Sequence, residues 1–567
     1  MRNADVAKIL YEIADLLEVQ DIQFKPRAYR KAAQSIESMS EDIVSVWKKG
    51  KLDDIPGVGK SIAEKIDEFL KTGKLKYLNE LKKKLPIDIE EITAVEGVGV
   101  KKAKVLYEKL KVKTLKDLEK AAKAHKIRKI AGFGTQTEEN ILKNLGFAAT
   151  RKKRMPLGYV LPIVEEIMEQ MKAVKEVQKI DIAGSVRRMK ETIGDVDILV
   201  VSKKPSKVME KFTHLKDTGK IISKGPTRSS IRMKSGLHVD LRVIPVESYG
   251  SATQYFTGDK AHNIELRKIA IKKKMKLSEY GLFKGKKQIA GRNEKDIYRI
   301  LGLSWMPPEI RENNGEIEAA LKHKLPHLVE YDDIKGDLHT HTKASDGTNT
   351  IKEMATAAKK AGLKYIAVTD HTGKLKIAGG LDNKNLLKHA ENIRKESRKM
   401  SGIKLLTGAE VNIKDDGTVD IKDSVLKQLD VVVAAIHSGF RGSSQKMTKR
   451  IMTAMENEHV DIIAHPTGVL LGKRRPYDLN YDKILEKAKE TKTALEINCF
   501  PVRMDLDTSH IRDAVERKVV LAIGTDGHNT EHFRFLQLGC ALARRGWCEK
   551  NNILNTYDLS RLSKWLK

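Results

Sequence analysis

Three aspartates stand out by their spacing. Asp195 and Asp197 lie in Gly194-Asp195-Val196-Asp197-Ile198-Leu199-Val200, and Asp240 lies in His238-Val239-Asp240-Leu241-Arg242-Val243. Side chains two apart on an extended strand share a face, so the first two point the same way. The alternation around Asp240 reads as a second strand able to set it beside that pair. Three converging carboxylates suit two hard divalent cations, Mg²⁺ or Mn²⁺, which take oxygen ligands and brace both oxygens of an in-line phosphoryl displacement. A turn at Gly184-Ser185-Val186-Arg187-Arg188 follows the apolar stretch Ile180-Asp181-Ile182-Ala183. Backbone N–H groups in such a turn can hold a phosphate, and Arg187 or Arg188 can offset triphosphate charge. Asp-x-Asp and Gly-Ser are each common; the ordered set is what is specific.

A second set of ligand-type residues appears where short apolar runs end. His339 and His341 lie in Asp337-Leu338-His339-Thr340-His341, with Asp346 shortly after, and His371 follows Tyr365-Ile366-Ala367-Val368-Thr369-Asp370. Glu410 follows Leu405-Leu406-Thr407-Gly408-Ala409, His437 ends Val431–Ile436, and His465 ends Ile462-Ile463-Ala464. Glu496 lies in Ala494-Leu495-Glu496-Ile497-Asn498, and Asp526 and His528 follow Val519–Thr525. Seven strand-like runs, mostly separated by helix-like segments, predict a βα barrel with its site at the C-terminal ends of the strands. Histidine with carboxylate fits zinc, manganese or iron, and the ligands suffice for more than one ion. Clustered ions can supply hydroxide and brace a phosphodiester during hydrolysis. Any one of these histidines alone reads as structural; six of the chain's 16 at run ends favour a shared centre.

The elements that present these groups follow a helical first part with a repeated hairpin signal. Gly57 and Gly59 in Ile55-Pro56-Gly57-Val58-Gly59 precede Lys60 and a helical pattern; Gly97 and Gly99 in Val95-Glu96-Gly97-Val98-Gly99 precede Val100-Lys101 and another. A looser third copy holds Gly132 and Gly134 in Ile130-Ala131-Gly132-Phe133-Gly134. A Gly-x-Gly turn opening a helix presents N–H groups at a positive helix end, suited to one DNA phosphate and blind to sequence. One copy would read as a packing turn; three with basic helices favour phosphate binding.

Composition sets the bounds. The 567 residues, 40% of them hydrophobic, call for several packed domains. A net charge of +31, basic in both halves, favours a polyanionic partner such as nucleic acid; a lysine-rich surface of the thermophile kind is compatible with the same charge. Cys499, Cys540 and Cys548 make neither a disulfide framework nor a Cys-x-x-Cys zinc module. The start, Met1-Arg2-Asn3-Ala4-Asp5-Val6, lacks a signal-peptide core, and no run is long enough for a bilayer. A reduced, soluble, cytoplasmic protein is expected. Arg151-Lys152-Lys153-Arg154 marks a junction into the region of the aspartates, Trp305-Met306-Pro307-Pro308-Glu309 closes it, and Asn313 to Tyr331 reads as a polar connector with some helix.

These motifs together resemble the bacterial and archaeal family X DNA polymerases that carry a C-terminal polymerase-and-histidinol-phosphatase (PHP) domain. The Gly-Ser turn, the Asp-x-Asp pair, the third aspartate and Tyr255-Phe256-Thr257-Gly258 are similar in order to DNA polymerase beta. The resemblance implies a multidomain α/β chain. An 8-kDa-like helix-hairpin-helix domain spans 1–82 and a fingers-type one 83–150. A nucleotidyltransferase palm spans 151–246, a nucleotide-selecting subdomain 247–312, a linker 313–333 and a distorted (βα)7 PHP barrel 334–567. It implies that Gly184, Ser185, Arg188 and Gly194 serve the incoming triphosphate. Tyr255, Phe256 and Gly258 would sense its sugar, and Asn263 and Arg267, on one helix face, would follow the minor groove. It carries His339, His341, Asp346, His371, Glu410, His437, His465, Asp526 and His528 into a three-metal centre of Mn²⁺ or Zn²⁺. Such centres support 3′–5′ exonuclease activity and in some members cleavage at abasic sites. Glu496 stands outside these nine as a supporting group.

The resemblance further implies gapped or primer–template DNA and dNTPs as substrates, a nucleoid-associated monomer, a repair role, and a monovalent cation at the hairpin turns. Two positions depart from the family pattern. Ile193 replaces a triphosphate-contacting serine, and Ser61 replaces a lysine that binds a 5′-phosphate, for which Lys60 and Lys25 are the available substitutes. Lys65 matches the lyase nucleophile; a Schiff-base lysine must lose its proton, and the same residue also fits a solvated lysine on a polar helix face. Three other readings stand beside this one. They are a histidinol-phosphate-type phosphatase, a front half that only targets a nuclease to DNA, and terminal transfer without a template. The repeated hairpins oppose the first, and unused carboxylates facing DNA would oppose the second.

Overall fold

The described residues of 3–142 form helices, turns and loops, in a computed structural model that describes every residue except 1–2, 21, 38–42, 56, 86, 94, 96–97, 136, 140, 143–153, 374–378, 441, 472–473, 475 and 567. Helix Asn3–Val19 buries Val6, Leu10, Ile13 and Leu17, spaced by three or four, against Tyr29, Ala32, Ala33 and Ile36 of helix Lys25–Glu37. Helices Lys60–Thr72 and Val100–Leu110 open directly after Gly59 and Gly99. One apolar core runs from Val6 to Ile141, so the helices on both sides of residue 82 share it.

The aspartates lie on a five-stranded sheet of β1 (Lys179–Ile182), β2 (Asp195–Val201), β3 (Thr218–Lys224), β4 (Arg228–Met233) and β5 (His238–Val243). The order is β1-β2-β5-β4-β3, with β2 and β5 parallel and the other pairs antiparallel. Val196, Ile198 and Val200 are buried, while Asp195 and Asp197 take the opposite face at the start of β2. Helix Tyr249–Thr257, helix Lys260–Lys272, a three-stranded antiparallel sheet and helix Glu294–Leu301 follow.

The connector expected over Asn313 to Tyr331 carries the helix Glu316–Leu321 and packs on its neighbours. Ile317, Ala320 and Leu328 join the core around Leu266, Ile297 and Trp547, and buried Glu316 lies 2.7 Å from Nδ1 of buried His262. Its polar composition concealed that apolar spacing on the short helix Glu316–Leu321.

The second half is a seven-stranded parallel barrel: β6 (Gly336–Thr340), β7 (Tyr365–Val368), β8 (Lys404–Asn412), β9 (Val431–Ala435), β10 (Ile462–Ile463), β11 (Ala494–Asn498) and β12 (Leu521–Gly524). Neighbours follow chain order, and a parallel bridge from Thr340 to Gly527 brings the last strand back to the first. Leu338, Ala367, Leu406, Val433, Ala464 and Ala522 form one apolar cluster, and the alternate strand residues pack with the surrounding helices. The barrel and the five-stranded sheet share a continuous core. At Gly158, a Cβ would come within 2.7 Å of Pro501 Cγ and 2.8 Å of Leu538 Cδ1, so helix Leu157–Lys172 approaches the barrel closely.

Candidate active sites

Register builds the first site. Asp195 pairs with His238 and Asp197 with Asp240 across parallel β2 and β5, placing all three carboxylates at one end of the sheet. Asp240 accepts from the Ser230 hydroxyl and from Arg228 Nη2 at 3.3 Å, with His238 Nε2 3.4 Å away. Burial first, then the charges of Asp195 and Asp240, push the Asp197 carboxyl up to about 6. That crowding of like charge is what divalent cations relieve, and the all-oxygen donors suit a hard ion.

Gly184 is fitted to this site twice over. Its φ is +63°, and a Cβ there would lie 2.6 Å from Asp197 Oδ2. Gly184 to Arg187 form a single helical turn in which Ser185 is half-buried. Arg187 is committed elsewhere: Nη1 and Nη2 meet Glu294 at 2.9 and 2.8 Å, and Nη1 donates to Thr257 Oγ1 at 2.6 Å. Arg188 donates to the Thr257 carbonyl and lies against Gly258, where a Cβ would come within 3.1 Å of Nη1. Of the two arginines read from the turn, Arg187 is held by a carboxylate and Arg188 by a carbonyl alone. Arg154 packs against Gly194 and donates to the Thr192 carbonyl at 2.6 Å. Ile193 is buried at 1% exposure and pairs with Met155, a core role in place of a hydroxyl.

Tyr255 and Phe256 contact edge to face at 5.2 Å, and the Arg242 guanidinium lies 4.6 Å from the Phe256 ring. Asn263 is buried and both ends of its amide are engaged: Nδ2 donates to the Tyr255 carbonyl at 2.7 Å, and Oδ1 accepts from Gln254 at 2.6 Å. It ties the main chain at Tyr255 to helix Lys260–Lys272. Arg267, one turn on, is partly exposed.

The nine residues of the second set converge at the C-terminal mouth of the barrel, each at or just beyond a strand end except Asp346, which lies on the loop after β6. Ligand atoms of His341, Asp346, His371 and His528 lie within 4.8 Å of one another, as do those of His339, His341 and Asp526, and those of His371, Glu410 and His437. Glu410 sits at the centre. Its Oε2 lies 2.9 Å from His371 Nδ1 and 3.3 Å from His339 Nε2, and its Oε1 lies 3.1 Å from both His437 Nε2 and His465 Nε2. Asp526 Oδ1 lies 3.4 Å from His341 Nε2, and Asp346 Oδ1 lies 3.2 Å from His528 Nε2.

These donors fit metal ions on a separate test. His339 Nε2, both nitrogens of His341, His371 Nδ1 and Glu410 Oε2 are buried without a hydrogen-bond partner. Buried polar atoms are rarely left so, and a cation satisfies several at once. Burial, then the neighbouring His371 and His528, push His341 down to about 4. Burial and Arg503 do the same to His465, also about 4. His465 and Asp526 take positive φ, 30° and 52°, a conformation rare outside glycine and one often kept at functional sites.

A supporting shell stands behind the ligands. Glu496 Oε1 lies 2.6 Å from His339 Nδ1, and its other oxygen accepts from the His465 N–H at 2.7 Å. Asn412 Oδ1 lies 2.7 Å from His437 Nδ1. Gly524 leaves room for Glu496, since a Cβ there would lie 2.0 Å from Oε1. Asn412 and Gly524 carry no ligand signature in sequence and emerge only from packing.

The hairpin turns share one burial pattern: Val58, Val98 and Phe133 are buried beside exposed Gly57 and Gly59, Gly99, and Gly132 and Gly134. Gly97 lies outside the described residues, as do Arg151 to Lys153. Val58 N–H bonds to the Ile55 carbonyl at 2.9 Å and Val98 N–H to Val95 at 2.9 Å. The third copy diverges after Gly132: its φ of 86° repeats that of Gly57, but Gly134 is left-handed at 57°, whereas Gly59 and Gly99 are extended. Lys60 and Lys101 are exposed beside their turns. Lys65 Nζ donates to the Ser61 carbonyl at 2.9 Å and to its hydroxyl at 3.0 Å, and lies 4.8 Å from the Tyr77 ring. No helix among the described residues is long and apolar enough to cross a membrane.

Family models match the chain in the order of its domains. They are a helix-hairpin-helix domain at 1–75, a SAM-like helix-hairpin-helix tandem at 89–146, DNA polymerase beta palm at 154–232, DNA polymerase beta thumb at 252–312 and a PHP domain at 337–499. The palm match stops before Asp240 and the PHP match before Asp526 and His528; the sheet and the barrel closure bring those residues to their partners. A Bacillus subtilis (strain 168) protein named "DNA polymerase/3'-5' exonuclease PolX" is 37% identical over 572 residues, covering 100% of both chains. A Thermoanaerobacter sp. (strain X514) protein named "Probable phosphatase" is 31% identical over 41% of this chain and 94% of its own. A similarly named protein of Caldanaerobacter subterraneus subsp. tengcongensis is 35% identical over 34% of this chain and 75% of its own.

Proposed function

The chain belongs to the family X DNA polymerases with a C-terminal PHP domain, and from that premise we propose that it fills short gaps during DNA repair and trims 3′ ends with its barrel. It is a DNA-directed DNA polymerase with a 3′–5′ exonuclease, dependent on divalent metal. DNA and dNTPs are its substrates. The observation that carries the polymerase assignment is the pairing of Asp197 with Asp240 beside the Gly184 turn.

Asp195, Asp197 and Asp240 hold two Mg²⁺ or Mn²⁺ ions in this reading. Such ions make the primer 3′-hydroxyl easier to deprotonate and stabilise the departing pyrophosphate. Ser185 and Arg188 take the triphosphate, with Gly184 and Gly194 giving the turn its close approach. Tyr255, Phe256 and Gly258 close on the sugar. Asn263, bonded to the Tyr255 carbonyl, and Arg267 lie along the minor groove of the nascent pair.

The nine barrel residues hold up to three ions, Mn²⁺ or Zn²⁺, for phosphodiester hydrolysis. Gly57, Gly59, Lys60, Gly97, Gly99, Lys101, Gly132 and Gly134 hold DNA phosphates, with a monovalent cation at the hairpin turns. We assign the functional units to 1–82, 83–150, 151–246, 247–312, 313–333 and 334–567, in a chain acting as a nucleoid-associated monomer. Cleavage at abasic sites is assigned to the barrel, and deoxyribose-phosphate lyase activity to Lys65. A phosphatase reading accounts for neither the palm nor the paired hairpins.

The test is one assay on DNA with a single-nucleotide gap. With dNTPs and Mg²⁺ or Mn²⁺ the primer should lengthen by one; without dNTPs it should shorten from its 3′ end. A primer left unchanged under both conditions would refute the proposal.

A further inference from the structure

Arg545 ends the barrel helix Leu536–Arg545, and its side chain is 1% exposed. Its planar fork meets Glu312 twice, Nη1 to Oε1 at 3.0 Å and Nη2 to Oε2 at 3.1 Å. The same Nη1 donates to the main-chain carbonyl of Arg188 at 3.1 Å, and Nη2 reaches Glu191 Oε1 at 3.5 Å. Lys190 Nζ closes on Glu312 Oε1 at 2.5 Å from the other side. One guanidinium from the barrel thus gathers the Arg188–Glu191 segment of the palm and the end of the nucleotide-selecting subdomain.

That segment continues directly from the triphosphate turn. Lys190 N–H bonds to the Ser185 carbonyl at 3.0 Å, and Arg188 N–H to the Gly184 carbonyl at 3.3 Å. The side chain of Arg188 is tied to the Thr257 carbonyl, so its main chain is held by the barrel and its guanidinium by the helix after β5. A junction that needed only adhesion would be served as well by apolar side chains, because burying an ion pair costs desolvation. What an apolar side chain does not supply is a directed bond to a carbonyl, or a fork that fixes Glu312 in plane.

We infer that Arg545 is a positioning residue for nucleotide addition: from within the barrel it fixes the turn that presents Ser185 and Arg188 to the triphosphate. The inference rests on the proposed roles of Ser185 and Arg188. It makes the barrel part of the polymerase's own scaffold, not only the carrier of a second activity.

The test uses the full chain with Arg545→Met, which keeps the stem, Arg545→Lys, which keeps the charge, and Glu312→Gln, which keeps the shape. KM and kcat are measured for a dNTP in addition and for pyrophosphate in the reverse reaction, with 3′ trimming followed on the same preparations. Arg545→Met should raise both KM values by about tenfold, with a smaller fall in kcat and trimming within about twofold of wild type. Arg545→Lys should recover only part of this, since the planar fork is lost. Unchanged KM values in Arg545→Met beside an active wild type overturn the inference alone. If that variant does not fold, Glu312→Gln decides: a severalfold rise in both KM values supports it, and no rise overturns it. A wild type that adds no nucleotide overturns the underlying reading, and the inference with it.

Discussion

Glu496 holds His339 from behind. Its Oε1 lies 2.6 Å from Nδ1, while the opposite ring nitrogen, Nε2, faces Glu410 Oε2 at 3.3 Å. A carboxylate on the far nitrogen fixes the tautomer that leaves Nε2 a lone pair, and raises its basicity toward a metal. Glu496 also accepts from the His465 main chain, so one buried side chain sets two of the nine.

Glu496→Gln should therefore weaken metal loading of the barrel by about 10- to 100-fold. Titrating Mn²⁺ into metal-stripped protein while following 3′ trimming checks this, with nucleotide addition as the internal control. Trimming with an unchanged Mn²⁺ midpoint would deny Glu496 this role.

Much of this centre was legible in the chain because barrel strands display their ligands at regular ends. Tyr365–Asp370 before His371 and Val431–Ile436 before His437 are readable by eye. The palm triad was legible for a similar reason, since strand period places Asp195 and Asp197 on one face. What escaped was set by contacts remote in sequence. Arg187 looked as able as Arg188 to meet a phosphate until Glu294 claimed it. The bonds of Asn263 to Gln254 and Tyr255 likewise leave no mark in its local sequence. Nothing local in Arg544-Arg545 points to the palm, because the partner of Arg545 is created by the packing of two domains.

Glu312 makes that junction sensitive to acid. Burial alone would raise its carboxyl, but Arg545 and Lys190 outweigh burial and hold it at about 2, below the ordinary 4.5. A depressed carboxylate contributes stability that is complete above the unfolded value and is lost as pH falls toward the folded one. The difference in thermal midpoint between wild type and Glu312→Gln should be constant above about pH 5 and shrink as pH falls below 4.5. A difference that does not vary with pH would show that the charge of Glu312 contributes nothing.

Binding to DNA of arbitrary sequence should weaken steeply with salt if, as proposed, hairpin amides and lysines meet phosphates and release counterions. Affinity is measured by fluorescence anisotropy from about 50 to 200 mM salt, over which six to ten phosphate contacts lose roughly 10³- to 10⁵-fold. A nearly flat dependence would remove DNA as the explanation of the +31 charge.

Lys65 must give up its bonds to Ser61 before its amine can attack an aldehyde. Borohydride should trap a covalent complex on 5′-incised abasic DNA, and Lys65→Ala should remove most of it. With Ser61 where relatives of the polymerase beta type carry a phosphate-binding lysine, trapping should be slow. Trapping undiminished in Lys65→Ala would assign the nucleophile elsewhere.

In the proposed reading two separate metal-dependent sites act on one DNA end. Asp197 lies on the palm sheet and His339 and His341 lie in the barrel, so each ligand set can be removed without touching the other. Extension and trimming of the same gapped primer are measured for Asp197→Ala and for His339→Ala with His341→Ala. Asp197→Ala should lose addition and keep trimming, and the double histidine variant should keep addition and lose trimming. Parallel loss of both activities in either correctly folded variant would refute the division into two sites.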